Sequence, residues 1–205
     1  REFWGLEFLV TPEVLIPRPE TELVVESACV ALTGVAAPVI IHLCTCSGCI
    51  AGSLARERTD ATCCAADPSH AALAVARRNA ERLGVADRIR FLEGDLLGPL
   101  AGLGVHGTID VIATNPPYIK SGEFALLQPE VKDFEPEIAL IAGPEGIEVA
   151  ARIIEASPAY LKPGGSLIME MGAGQGAMLS RTAEQAGAYG KIDVFRDLAG
   201  TERMR

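Results

Sequence analysis

Short apolar runs alternate along the chain with segments whose apolar positions recur every three or four residues. The runs are typical of buried parallel strands, and the spaced positions are typical of helices that cover a sheet. The pattern predicts strands at 39–43, 62–66, 88–92, 108–113, 166–171 and 191–195, with helices at about 48–56, 145–157 and 175–186. A further helix is predicted from the capping residue Ser69 to the stop signal Gly84. This alternation predicts an α/β fold built on a doubly wound, mostly parallel sheet.

Three segments lie outside this alternation. Residues 1–38 are expected to form a leader that packs over the ligand edge of the sheet, and residues 39–205 the main domain. The sequence Lys162-Pro163-Gly164-Gly165 predicts a turn that leads into the strand at 166–171. We interpret Gly172-Ala173-Gly174-Gln175-Gly176 as a strand-to-helix turn, because a lone glycine-rich run is weak evidence of a nucleotide loop.

Charge and composition narrow the class of partner. The chain has 205 residues, a formal net charge of −9 and no run of lysine and arginine. A protein that binds the phosphate backbone is expected to be basic on at least one face, so direct nucleic-acid binding is not expected. No stretch reaches the roughly 18 consecutive apolar residues of a membrane span, so we expect a cytoplasmic protein without a membrane partner.

Polar features follow three of the predicted strands. They are the segment 42–48, Asp67 and the tetrapeptide Asn115-Pro116-Pro117-Tyr118. Because ligands bind beyond the carboxyl ends of strands in open α/β sheets, these features are expected to meet. Asp67 lies about 20 positions after the first loop, the interval at which an acid meets the ribose hydroxyls of a bound nucleoside. A cap on the next helix is the alternative for this residue.

The tetrapeptide is the most specific chemical feature of the sequence. An amide nitrogen is a poor nucleophile, and an enzyme that methylates it gains by holding the NH2 group with hydrogen-bond acceptors. Asn115 offers a side-chain oxygen and Pro116 a carbonyl, while both prolines stiffen the loop. Tyr118 offers a ring that packs against a flat group. A simple strand-to-turn junction is the alternative, since Asn-Pro and Pro-Pro are common turn signals.

With these motifs the chain resembles the release-factor glutamine methyltransferases, the HemK/PrmC family, over nearly its whole length. The resemblance rests on the segments 3–8, 15–22, 115–119, 134–136 and 197–200. It implies a class I, Rossmann-like fold that depends on S-adenosylmethionine (SAM). It also implies methyl transfer from SAM to the side-chain N5 of a glutamine in a peptide-chain release factor, the protein substrate.

The resemblance also implies roles for individual residues. Asn115, Pro116, Pro117 and Tyr118 would hold the glutamine, with Asn115 also beside the cofactor. Asp67 would bind the SAM ribose, and Leu96 would lie beside the adenine. The loop after the first strand would hold the rest of SAM through Cys44, Thr45, Cys46, Ser47 and Gly48.

The same loop departs from the family pattern. Relatives usually carry Asp-Leu-Gly-Thr-Gly-Ser-Gly, where this chain has His42-Leu43-Cys44-Thr45-Cys46-Ser47-Gly48. A Cβ obstructs both positive φ and the close approach of backbone to ligand, and a histidine does not attract an ammonium group as a carboxylate does. We therefore expect weakened SAM binding. The N-terminal helical domain by which the family recognises its substrate also falls outside these residues.

Several alternatives stay open from the sequence. One is a DNA or small-molecule amino-methyltransferase, and another is a non-catalytic relative with impaired SAM binding. A metal site is a third, with candidate ligands at His42, Cys44, Cys46 and Cys49 and at Cys63 and Cys64 on the neighbouring strand. Cys63 and Cys64 are adjacent on a strand and so point to opposite faces, which leaves at most a subset able to converge. Substituted loop positions and buried small side chains are the preferred interpretation, with no metal.

Overall fold

The computed structural model describes residues 1–196 and 202–204 of the chain. Its strands are β1 (Glu2–Phe3), β2 (Leu6–Glu7), β3 (Val39–Leu43), β4 (Thr62–Asp67), β5 (Ile89–Glu93), β6 (Ile109–Thr114), β7 (Ile119–Lys120), β8 (Ile141–Gly143), β9 (Leu161–Met169), β10 (Val194–Arg196) and β11 (Glu202–Met204). Its α-helices are α1 (Glu22–Ala31), α2 (Cys49–Glu57), α3 (His70–Arg82), α4 (Pro129–Lys132), α5 (Glu148–Ala156) and α6 (Gly176–Ala186).

A seven-stranded sheet organises these elements, in the order β10-β11-β9-β6-β3-β4-β5. The five strands from β9 to β5 pair in parallel, and β11 and β10 are antiparallel at one edge. The chain adds β4 and β5 on one side of β3 and then returns to add β6 and β9 on the other. The predicted doubly wound, mostly parallel sheet is therefore confirmed.

Helices cover both faces of the sheet, which explains why its strands are continuous apolar runs. In β3, Ile40 packs among α1 and α2, while Ile41 and Leu43 pack among α5 and α6. All three side chains are fully buried. Adjacent residues of one strand thus enter different cores, so alternation with polar residues is neither needed nor present.

Most predicted elements are confirmed to within a few residues at their ends. The Ser69 hydroxyl accepts a hydrogen bond from the Ala72 backbone N–H at 3.1 Å, as expected of the cap that starts α3. The inner face of this helix is buried at Leu73, Ala76 and Ala80, which are three or four positions apart. The short hydroxyl cap and the three-to-four spacing therefore fixed both the start and the orientation of the helix.

The turn predicted at 162–165 is wrong, because this segment lies inside β9. Pairing with β6 shifts register between Ile109 and Val111, which marks a bulge. Gly164 takes a φ of +82° there, a conformation that glycine adopts without strain. The glycines thus absorb an irregularity within a strand and do not end it.

The leader contains more regular structure than its sequence predicts. It begins with the two-stranded β1–β2 hairpin and ends with α1, which packs on α2, β6 and β9. A second unpredicted part is the insertion at 119–143, where β7 pairs with β8 around the short helix α4. Both parts lie near the carboxyl ends of the parallel strands, where they line the clefts described below.

Cys49, Cys63 and Cys64 are buried, whereas Cys29, Cys44 and Cys46 are half-buried. Cys63 and Cys64 enter opposite cores, as their adjacency in a strand requires. All six cysteines are free thiols, and no group of three or more potential ligands among the described residues is arranged to hold a metal. Within the same part of the chain no helix is long and apolar enough to cross a membrane. The motif at 197–200 lies outside the described residues.

Asn79 connects three parts of the molecule through one buried amide. Its Oδ1 accepts a hydrogen bond from the Leu9 N–H at 2.7 Å, and its Nδ2 donates to the Leu9 carbonyl at 3.0 Å and to the Ser47 carbonyl at 2.8 Å. The side chain is only 1% exposed. Helix α3 thereby holds both the leader and the loop after β3 in place.

Removing this amide is expected to destabilise the fold. Asn79→Ala leaves buried backbone groups of Leu9 and Ser47 without their partners, which costs about 2–4 kcal/mol of unfolding free energy. Urea denaturation followed by circular dichroism measures this loss. Arg78→Ala, at an exposed position of the same helix, serves as the control and should change stability by less than about 0.5 kcal/mol. Equal stabilities of the two variants would contradict the role of Asn79.

Candidate active site

A cleft of about 330 Å³, the main cleft, lies at the carboxyl ends of the parallel strands. Its walls include Cys44, Cys46, Asp67, Leu96, Asn115 and Pro117. These residues follow β3, β4, β5 and β6, which are neighbours in the sheet. The sheet therefore brings together six of the residues predicted to bind cofactor or substrate. The wall is mostly apolar, with acids confined to a few points, as in sites for small molecules with one polar end.

The loop after β3 adopts a conformation that suits glycine better than cysteine. Cys44 has a φ of +54° and Cys46 a φ of +53°, both in the left-handed region. Each non-glycine residue there adds strain of about 1–3 kcal/mol. Gly48, with a φ of +78°, ends the loop, and a Cβ at this position would lie 3.0 Å from the Cβ of Ala76. The backbone path is therefore that of a glycine-rich loop with two side chains added.

Asp67 is tied to the same loop. Its Oδ2 accepts a hydrogen bond from the Cys46 N–H at 2.8 Å, and its Oδ1 accepts one from the Ser69 N–H at 2.9 Å. Burial raises the pKa of this carboxyl, while the two N–H donors act in the opposite direction. Asp67 thus supports the turn into α3 and also presents its carboxylate to the main cleft. Capping and ligand binding are compatible here, since each oxygen accepts more than one hydrogen bond.

A small hollow of about 30 Å³, the inner recess, opens beside this loop. Thr45 and Ser47 line it, together with His42 from the end of β3. His42 is 2% exposed, and neither of its ring nitrogens has a hydrogen-bond partner in the described structure. Burial lowers the pKa of this imidazole to about 3. A neutral ring therefore occupies the place where the resembled family has an acid.

A second cavity of about 190 Å³, the side recess, lies on the other side of Asn115. Its walls include Tyr118, Arg18 of the leader and apolar residues of the insertion at 119–143. Asn115 lines the main cleft, the inner recess and the side recess. Its amide group therefore stands where the three spaces meet. Pro116 is buried, and its side chain lines none of these three spaces.

Gln175 fixes the backbone of the tetrapeptide from behind. Its Nε2 donates to the carbonyls of Tyr118 at 2.9 Å and Gly146 at 3.0 Å, and its Oε1 accepts from the Gly172 N–H at 2.8 Å. The segment 172–176 is therefore a strand-to-helix turn, as interpreted from the sequence. It also supports the loop that forms the side recess, which the glycine pattern did not predict.

The leader supplies contacts that sequence reasoning missed. The Arg18 Nη2 donates to both carboxylate oxygens of Glu135 in the insertion, to Oε1 at 2.7 Å and to Oε2 at 2.8 Å. The Leu15 N–H donates to the Cys46 sulfur at 2.8 Å. Thr21 contacts the Asn115 side chain at 3.1 Å. The Arg18 side chain is one-third exposed, whereas that of its partner Glu135 is almost fully buried.

A larger cavity, of about 640 Å³, lies elsewhere. It is lined by the start of β9 and by the segment that follows α6, at the opposite end of the sheet. None of the residues predicted to bind a ligand or substrate lines it. Size alone therefore does not identify the functional cleft.

The sheet order, the loop after β3, the acid after β4 and the tetrapeptide after β6 define a class I SAM-dependent methyltransferase. A family model described as "RMKL-like, methyltransferase domain" matches residues 25–128. A release factor glutamine methyltransferase of Nitratidesulfovibrio vulgaris is 44% identical over 100% of this chain and 68% of its own length. A protein of the same name from Cereibacter sphaeroides is 42% identical, over 100% of this chain and 70% of its own. The chain belongs to the release factor glutamine methyltransferase family.

Solved structures agree with this assignment. The release-factor-specific protein-(glutamine-N5) methyltransferase of Alicyclobacillus acidocaldarius is 25% identical, covers 96% of both chains and superimposes with a TM-score of 0.55. The hMettl16 catalytic domain, in complex with the MAT2A 3′UTR hairpin 1, gives a TM-score of 0.78 over 100% of this chain and 75% of its own. At 17% identity the latter shows the shared fold only.

The buried histidine predicts a specific pH dependence of stability. In the unfolded chain the pKa of His42 returns to its ordinary value near 6.5, against about 3 in the folded protein. Between these values only the unfolded state binds the proton, so stability falls as the pH falls. From pH 6.5 to 5 this group alone should remove about 1–2 kcal/mol of unfolding free energy.

His42→Leu removes the group that binds a proton in the unfolded state and not in the folded state, and it places an apolar side chain in the buried position. Urea denaturation of both proteins at pH 6.5 and 5 should therefore show the smaller pH-dependent loss for the variant. Groups that titrate in both proteins cancel in this comparison. An equal loss of unfolding free energy between pH 6.5 and 5 in both proteins would contradict the expected difference in His42 protonation between the unfolded and folded states.

Proposed function

We propose that this protein transfers a methyl group from SAM to the N5 side-chain amide of a glutamine in a peptide-chain release factor. The observation that supports this most directly is the position of Asn115, whose amide borders both the main cleft and the side recess. A group held at Asn115 from the side recess faces whatever occupies the main cleft. Transfer between two bound molecules requires this arrangement.

The main cleft fits the adenosine half of SAM. Asp67 offers a carboxylate for the ribose hydroxyls, and Leu96 and Pro117 offer apolar surface for the adenine. The methionine half would lie along Cys44, Thr45, Cys46 and Ser47, towards the inner recess, and Gly48 starts the helix behind them. Bound there, SAM supplies an electrophilic methyl group on a sulfonium ion.

The acceptor amide would be held by this chain's own oxygens. The Asn115 Oδ1 and the Pro116 carbonyl accept the two N–H groups of the glutamine side chain, which orients the nitrogen lone pair. The same oxygens stabilise the positive charge that develops on nitrogen, because they are fixed before the reaction starts. Tyr118, half-buried on the wall of the side recess, packs against the flat amide.

A protein substrate is preferred to a nucleic acid for physical reasons. The net charge of −9 opposes the counterion-release affinity on which phosphate binding depends. The curated relatives named above carry release factor in their names. The likeness to hMettl16 is one of fold alone, so its nucleic-acid ligand is not transferred to this chain.

Substitution of Asn115 tests the proposed function. Asn115→Ala removes the side-chain acceptor, so methyl transfer to a glutamine-containing release factor should fall at least 100-fold, about 2.7 kcal/mol of transition-state stabilisation. Transfer of a radiolabelled methyl group from SAM measures it, with mass spectrometry to locate the modified glutamine. SAM affinity should stay within a few-fold.

Gln128→Ala is the matched control, because it removes an exposed amide outside both cavities. It should retain wild-type turnover. Wild-type turnover in Asn115→Ala would disprove the role of Asn115. Methylation of an RNA or DNA oligonucleotide in preference to the release factor would disprove the proposed substrate class.

The cysteines and the histidine of the first loop are expected to weaken SAM binding. Cys44 and Cys46 add side chains at positive φ, and neutral His42 provides no charge for the SAM ammonium. The triple change His42→Asp, Cys44→Gly, Cys46→Gly should therefore tighten SAM binding at least tenfold, about 1.4 kcal/mol. Calorimetric titration with SAM, under reducing conditions and with chelator, measures the change.

Cys29→Ala provides the control for this experiment. Cys29 lies on α1, is half-buried and lines none of the three spaces at Asn115. Its removal should leave SAM affinity unchanged. Tight binding by the natural sequence, with no gain from the triple change, would show that the loop accommodates these residues.

A further inference from the structure

We propose that Thr21 and Glu170 are positioning residues that fix which way the Asn115 amide faces. This inference rests on the proposed function and extends it to two residues outside the main cleft and the side recess, of which Thr21 lines the inner recess. Three side chains form a relay. The Asn115 Nδ2 donates to the Thr21 hydroxyl at 3.1 Å, and that hydroxyl donates to the Glu170 Oε2 at 2.6 Å.

The relay lies at a junction of three elements. Thr21 immediately precedes α1, Glu170 immediately follows β9, and Asn115 immediately follows β6. Thr21 is 2% exposed and Glu170 is 1% exposed. The hydrogen bond between Thr21 and Glu170 is therefore buried, and its direction is set by the two side chains themselves.

The direction follows from counting protons. A carboxylate only accepts hydrogen bonds, whereas a hydroxyl has one proton to donate and lone pairs with which to accept. The Thr21 proton is used on Glu170, so towards Asn115 the hydroxyl oxygen only accepts. It must therefore face the NH2 group of Asn115, and the opposite branch of that amide, Oδ1, is directed away from Thr21.

This direction matters for the proposed chemistry. An asparagine amide has nearly the same shape after a 180° turn, so packing alone does not choose between its two orientations. In one orientation the Asn115 Oδ1 faces the glutamine NH2 and can accept its hydrogen bond. In the other orientation the Asn115 NH2 faces the glutamine NH2, and no hydrogen bond can form. The relay excludes the second orientation, because it would place Oδ1 against the Thr21 oxygen. Thr21 and Glu170 thus select the form of Asn115 that accepts.

Three variants test this relay. Thr21→Val keeps the shape of the side chain and removes the hydroxyl, so kcat for the release factor should fall at least tenfold while SAM affinity stays within threefold. Thr21→Ser restores the hydroxyl and should recover kcat to within threefold of wild type. Glu170→Gln adds an NH2 donor that lets the hydroxyl turn its proton towards Asn115, so its kcat should fall as well. Thr33→Val, an exposed threonine beyond α1, should have no effect.

A readout independent of turnover is the exchange of the Asn115 side-chain amide protons, followed by NMR. Nδ2 is held by Thr21 in the wild type, so one of its protons should exchange at least tenfold more slowly than in Thr21→Val, and Thr21→Ser should restore the slow rate. Unchanged exchange in Thr21→Val would overturn the inference. So would wild-type kcat in Thr21→Val, or a Thr21→Ser variant as impaired as Thr21→Val. A wild-type protein without transferase activity would disprove the proposed function, while the exchange rates would still test the relay.

Discussion

Strand β3 pairs in parallel with β4 on one side and with β6 on the other, and the order of strand addition reverses between them. Because parallel strands end at the same edge, this reversal places the loops after β3, β4 and β6 side by side. Asp67 reaches the Cys46 N–H across one of these gaps, and the Thr114 hydroxyl donates to the Leu43 carbonyl at 2.9 Å across the other. The other residues of the site are positioned relative to this edge of the sheet.

Much of the fold could be predicted because its signals are local. The apolar run of β3 and the cap at Ser69 depend on residues within a few positions of each other, and both were placed correctly. The prediction for 162–165 was wrong because proline and glycine indicated a turn ahead of the strand at 166–171, whereas the strand already begins at Leu161 and pairs with β6 through a bulge. Helix α1 was not predicted, because residues 1–38 lie outside the alternation of strands and helices, although 22–31 contains a buried face at Val24, Val25 and Ala28.

The residues of the candidate site also divide into those that local sequence signals predict and those that they do not. Asp67 ends β4 and Asn115 directly follows β6, so the position of each strand already indicates the edge at which they lie. The backbone of Cys44 and Cys46 keeps the left-handed conformation of a glycine-rich loop, which the resemblance suggested and the torsion angles show. Thr21 and Glu170 could not be linked from the sequence, since nothing local distinguishes a buried relay from an exposed threonine and glutamate. The sequence contains one indication of such contacts. Residues 18–22 are mostly polar, although they lie directly before a segment with buried apolar positions.

The hydrogen bonds of the leader also constrain how the site can form. Thr21 and Glu170 are 149 positions apart in the chain, and Arg18 and Glu135 are 117 apart. Contacts of such separation are closed late in folding, since a long loop must first be ordered. During synthesis, the leader is made before β9, so the hydrogen bond between Thr21 and Glu170 cannot form until β9 has been made and has paired with β6. The acceptor amide is therefore oriented only after the chain has been made beyond β9, so a shorter or partly unfolded chain has the tetrapeptide but not its alignment.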